Sequence, residues 1–190
     1  MYTNPSNIIK TLIAMLERNA VQINRCIQEY QPSRQLCVFE GMRNTLPADA
    51  YPSFEIEPTN GANEWMTTRA QRPRFSFRCT LTVLNDNERY GVEYIATVAT
   101  MLSELMTSPQ NLQLRVLNET KWTPEGGLYD TYILDSLVED VAYGAVHEGA
   151  VRMAEFTWFA TIHEPYPDSL FRTGLVMAPV ILRPKQAAAA

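Results

Sequence analysis

From Phe75 onward the chain alternates: Phe75, Phe77, Cys79, Leu81 and Val83 fall on one side, and Ser76, Arg78, Thr80 and Thr82 on the other. A period of two marks a strand with one buried face. Asn85 and Glu88 then stand at capping-box spacing, where the Asn side chain accepts an amide three residues on and the Glu reaches back. Beyond them the period becomes helical. Val92, Ile95, Ala96, Ala99, Leu102 and Met106 form one stripe, and Pro109 stops it. A strand and an amphipathic helix sharing one polar cap imply an α+β layer, with the helix lying across the sheet.

The same reading extends to both ends. Asn4 is a good N-cap and Pro5 suits the first helical position, so one long amphipathic helix is expected over residues 5–30. Its stripe is Ile8, Ile9, Leu12, Ile13, Leu16, Ala20, Ile23 and Ile27, too apolar to stand alone. Residues 34–40 predict a short strand and 41–51 a loop. Phe54 and Ile56 alternate with acidic neighbours between Pro52 and Pro58, which predicts a short edge strand. Thr59-Asn60-Gly61 is a turn signal, with a return strand from Trp65.

Past the central helix, residues 112–116 alternate as a further strand, and 120–127 read as a loop holding Trp122, a lid over the core or an interface anchor. Two long strand-like runs follow at 128–142 and 151–163, joined through a glycine-containing hairpin connection. In the first, Leu134, Leu137, Val138 and Val141 fit a short helix equally well. In the second, Ala154, Phe156, Trp158, Ala160 and Ile162 share one face. From residue 168 the chain mixes Leu170, Phe171, Leu175, Val176, Val180, Ile181 and Leu182 with Pro179 and Pro184. That is too apolar for a solvated linker and too broken for a helix, and it predicts an arm packed along a partner. The fold expected is α+β: a mainly antiparallel sheet carrying a long N-terminal helix and a central amphipathic helix, in a domain of residues 1–167 with an extended arm at 168–190.

Composition narrows the function. The 190 residues can bury a core without disulfide or metal support. A net charge of −5 argues against a general nucleic-acid binder, and no apolar run reaches membrane-spanning length. Cys26, Cys37 and Cys79 are odd in number and widely spaced, as free thiols would be. His147 and His163 each adjoin a glutamate, but neighbours on a strand point to opposite faces and do not converge on one ion. Glu139 with Asp140, and Asp130 with Asp135, are paired carboxylates that a solvated strand face explains as well as acid–base work. Nucleophile elbow, phosphate loop and dinucleotide fingerprint are all missing. Arg69, Arg72, Arg74 and Arg78 make the one basic cluster, and alternation sets Arg74 and Arg78 opposite Phe75 and Phe77. No catalytic residue, metal ligand or cofactor is expected.

The order of elements carries more than any motif. A long helix, a strand, the Pro52-Ser53-Phe54-Glu55-Ile56 strand, the strand at 74–83 with its helix at 88–106, and Gly149-Ala150-Val151-Arg152 leading into Phe156-Thr157-Trp158-Phe159 follow one another. Over residues 5–163 this order resembles the tail terminator, or tail completion, proteins of tailed bacteriophages, and more loosely other head–tail neck proteins. The resemblance implies a virion protein, assembled in the host cytoplasm, that forms a homo-oligomeric, hexameric ring. The ring caps the head-proximal end of the tail tube, ends tail growth, and offers a surface to the head-side connector or stopper. In a contractile tail it also meets the sheath, and genome DNA passes through its channel without specific binding. Candidate subunit or partner contacts are then Trp122, Arg72, Arg74, Arg78 and the arm residues Phe171, Leu175, Val176, Val180, Ile181 and Leu182. Other neck, stopper, tube or baseplate adaptor proteins share the order, and a small-ligand domain or enzyme is the remaining alternative.

Overall fold

The computed structural model describes residues 4–43, 45–67, 70–84, 88–108, 132–146 and 150–165. Two helices open it, α1 (Pro5–Arg18) and α2 (Ala20–Tyr30). They are followed by β1 (Cys37–Glu40), a single 3-10 turn at Ala48–Ala50, β2 (Ser53–Thr67), β3 (Ala70–Leu84), α3 (Glu88–Thr107), β4 (Tyr132–Val146) and β5 (Val151–Pro165). The strands form one sheet in the order β1-β2-β3-β5-β4. Only the β1–β2 pair is parallel; the other three pairings are antiparallel. The α+β, mainly antiparallel architecture is therefore as expected.

All three helices lie on one face of the sheet. α1 packs over β1 and β2, α3 over β3, β5 and β4, and α2 against α3. Phe54, Ile56, Phe75, Phe77, Cys79, Leu81, Phe156, Trp158 and Ile162 fill the sheet side of this core. Ile8, Leu12, Leu16, Ile27, Val98 and Leu102 fill the helix side. Phe77 lies 5.2 Å from the Trp158 ring and Phe54 5.8 Å from Phe156. Between the helices, Tyr30 stacks on Tyr94 at 4.9 Å, and the Tyr94 hydroxyl donates to Gln31 Oε1. Burial pushes the Tyr94 phenol up, so it stays a neutral donor.

Several expectations need correction. The N-terminal helix is two helices, because Asn19 interrupts it. Its side-chain amide donates to the Met15 carbonyl, as does its own N–H, and its backbone leaves the helical region at φ −97°, ψ 8°. An Asn side chain that competes for backbone groups breaks a helix this way. The apolar stripe nevertheless docks on the sheet. In α3 the buried face is rotated from the expected one: Tyr94 and Val98 are buried, and Val92 is largely exposed.

The segment around Phe54 is not a short edge strand bounded by Pro58. β2 runs on through Pro58 to Thr67, and Asn60 and Gly61 pair with Ser76 and Phe75 rather than turning. β1 ends opposite Ile56, so beyond it β2 has no partner on that side among the described residues, and the missing proline N–H breaks no ladder bond there. The turn signal is absorbed as a register shift between Pro58 and Asn60, where the Thr59 hydroxyl donates to the Ser76 carbonyl. Trp65 thus belongs to β2, and the return strand β3 starts at Ala70.

The helical alternative for Leu134, Leu137, Val138 and Val141 is also overturned, since all four lie in β4. A bulge between Glu139 and Ala142, with Asp140 at φ 57°, shifts the strand's phase and produced the spurious helical spacing. The expected strand at 112–116, the loop with Trp122, the capping residues 85–87 and the arm lie outside the described residues.

Candidate assembly surface

The sheet's second face carries no helix among the described residues. Alternation places the odd-faced residues of each strand there: Phe39 on β1, Ser53, Glu55 and Glu57 on β2, Arg74, Arg78 and Thr80 on β3, Glu155, Thr157 and Phe159 on β5, and Asp135, Leu137 and Glu139 on β4. At the β1 end the connection to β2 folds over this face. Gly41, at φ +80°, makes the turn there, and its N–H donates to the Ile56 carbonyl at 2.7 Å. The Arg43 guanidinium then sits 5.0 Å from the Phe39 ring centre.

Under that connection Ser53, Glu55 and Thr80 are buried. The Arg43 backbone N–H donates to the Glu55 carboxylate, but Oε1 has no hydrogen-bond partner, nor have Ser53 Oγ and Thr80 Oγ1. Desolvation raises the Glu55 pKa, outweighing the attraction of Arg43. A carboxyl whose folded pKa is raised favours the native state while protonated and loses that advantage as pH climbs past its ordinary value. Glu55→Gln is therefore expected to raise the thermal midpoint at pH 7, with the gain shrinking as the pH is lowered toward 4. An equal gain at both values in thermal melts would remove the ionised carboxylate as the cause.

The basic cluster is not a free cationic platform. Arg78 bridges the sheet, with Nη1 3.2 Å from Glu57 and Nε 3.6 Å from Glu155. The Arg74 guanidinium stacks 4.3 Å above the Phe159 ring, and Arg72 is exposed. Phe75 and Phe77, facing the other way, are core as alternation requires. Partly exposed ion pairs of this kind contribute about 0–1 kcal/mol each, so these arginines order the surface more than they stabilise it.

Among the described residues the candidate chemical groups do not converge. Glu139 and Asp140 are exposed on β4, His163 stands opposite Tyr132 in the β4–β5 ladder, and Asp130 and His147 lie outside the described residues. Among the described residues no group of His, Cys, Asp and Glu could hold a metal ion, and no helix is long and apolar enough to cross a membrane. Cys26, Cys37 and Cys79 are free thiols, and burial raises the Cys79 pKa strongly, which keeps it an inert hydrophobe. A groove of about 370 Å³ runs between α3 and the end of β4, lined by Val92, Ile95, Ala96, Tyr143, Gly144, Ala145 and Arg152. It contains neither Glu139 nor Asp140, and its walls are mostly aliphatic and aromatic.

What the surface does display is apolar. Tyr90 and Val92 on α3, and Leu134, Leu137, Val141 and Tyr143 on β4, are large hydrophobic side chains left exposed, with Leu137 on the bare sheet face and Tyr143 on the helix side. β4 is the outermost strand, and among the described residues it pairs only with β5. Sequence reasoning placed the candidate contacts on Trp122, the arginines and the arm, and did not single out these exposed side chains. The signal available was the lack of basic residues in β4 beside its exposed aliphatics.

Among the described residues, then, the helices lie on one side of the sheet, the other face carries none, and the outermost strand exposes large apolar side chains. No family model and no curated protein matches the chain. Among solved structures, its fold is similar to that of a chain in the virion of a native gene transfer agent (GTA) particle. The TM-score is 0.56 at 10% identity, over 86% of this chain and 99% of that one.

Proposed function

We propose that this chain is a structural protein of a tailed-phage-type virion, a subunit of the ring that caps the head-proximal end of the tail tube and joins it to the head-side connector. The observation that carries the reading is the fold likeness to a GTA virion chain, which spans nearly all of that chain. The exposed apolar edge and the absence of any convergent catalytic group among the described residues accord with work done by shape and stacking. A ring of copies at −5 each is acidic overall, which disfavours DNA sticking in its channel. In such a ring the contacts are head-to-tail, each copy presenting one surface to the next.

The test is the mass of the purified particle in solution, followed by negative-stain images and binding to isolated tail tubes. Six copies of a 21.6 kDa chain predict a closed particle of about 130 kDa. A lone globule at high concentration with no affinity for tail components would overturn the reading. A second reading, another ring of the neck, is favoured by the breadth of the likeness, which is to a chain of a whole virion. Binding to head-side connectors in place of tail tubes separates the two.

A further inference from the structure

We propose that the outer edge of β4, which among the described residues pairs only with β5, is a docking strip for the chain's own C-terminal segment, residues 170–182, donated by a neighbouring copy. An edge strand offers a row of unpaired backbone donors and acceptors to any extended segment, and side-chain contacts then set which segment is taken. β4 exposes Leu134, Leu137, Val141 and Tyr143, between 37% and 55% accessible each, along its 15 residues.

Three features select the occupant. The first is reach. β5 ends at Pro165, and His163 stands opposite Tyr132, so the chain leaves the sheet at the very end where β4 begins. A segment of 13 residues spans about 43 Å when extended, and β4 spans about 50 Å. The second is charge. β4 contains Asp135, Glu139 and Asp140 and no basic residue, whereas the segment and its flank carry Arg172, Arg183 and Lys185 against Asp168. The third is the break in each partner. The β4 bulge divides its ladder into stretches ending at Glu139 and resuming at Ala142. Pro179 divides the segment into Leu170–Ala178 and Val180–Leu182, and a proline is tolerated where the ladder is already interrupted.

The proposal rests on the ring reading in one respect, that the donor is another copy. The docking itself is testable without a ring. A fluorescent peptide of residues 168–185 is titrated onto the chain truncated after Pro167 and followed by anisotropy. Saturable binding is expected, weakened at least tenfold by Leu134→Lys with Leu137→Lys, and weakened further by raised salt. Both leucines are exposed, so circular dichroism of the double variant should match the parent.

No binding, or binding indifferent to the two lysines, overturns the proposal. A truncated chain that still forms the full ring also overturns exchange between copies, while leaving the ring reading standing. Edge-dependent peptide binding with a full-length chain that remains monomeric shows the segment docked on its own β4. That outcome sinks the donation between copies and the ring reading with it.

Discussion

Trp158→Ala is expected to cost about 3–5 kcal/mol, out of a total of about 5–15 for a domain of this kind. Trp158 sits on β5, which is hydrogen-bonded to β3 on one side and β4 on the other, and its ring is buried against Phe77 on β3. Removing it opens a void in the middle of the core, where the flanking strands are held by their ladders and cannot close in. Urea unfolding should show the midpoint falling steeply with the slope little changed, and thermal melts should shift by roughly 6–20 °C. Trp158→Phe should restore much of the loss. It keeps an aromatic against Phe77, and the indole N–H it removes has no hydrogen-bond partner to forfeit. A midpoint unmoved by the alanine variant would mean that the core is not organised around this strand.

Leu12→Ala is expected to cost about 2–5 kcal/mol, because α1 holds to the sheet almost wholly through its apolar stripe. Leu12 lies with Ile8 and Leu16 in the layer over β1 and β2, all essentially inaccessible. The capping at the helix start, where Asn4 accepts the Ser6 N–H at 3.0 Å, is worth about 1 kcal/mol and cannot substitute for the lost packing. Val21, one helix on and 85% exposed, supplies the control. Val21→Ala should stay within about 0.5 kcal/mol of the parent. If the Leu12 variant is as stable as the Val21 one in monomeric protein, the N-terminal helices draw their stability from a neighbouring subunit and not from their own sheet.

The two central strands were legible because each obeys one rule along its length. In β3 from Phe75 to Val83, and in β5 from Ala154 to Ile162, every second residue is apolar and buried, so alternation alone named the core. The elements misread are those where a local signal met a longer-range one. Asn60-Gly61 has turn chemistry, but the pairing of β2 with β3 on both sides of it is worth more than one favourable turn. In β4 the bulge at Asp140 shifted the phase, so a strand acquired the spacing of a helix. Asn19 was readable in principle, since an Asn inside an apolar helical run competes with its own backbone.

The assembly surface was less legible than the fold. The partners of Arg78, Glu57 and Glu155, come from two other strands, and no window of the sequence contains all three. That Leu134, Leu137, Val141 and Tyr143 are exposed follows from β4 being outermost, which depends on β5 inserting between it and β3. Strand order is a property of the whole chain, and hydrophobic periodicity cannot convey it.

The two borders of the sheet are unequal: four residues of β1, with the Ser6 hydroxyl of α1 bonded to Glu40, on one side, and the full length of β4 on the other. Joined through such dissimilar flanks, identical units acquire a polarity, and nothing in a single unit tells the series where to stop. The tilt between successive copies then decides whether the series shuts on itself or winds on as a filament. In the proposed ring, substitutions that alter that tilt without weakening adhesion should convert discs into lock-washers and fibres, a polymorphism visible directly by electron microscopy.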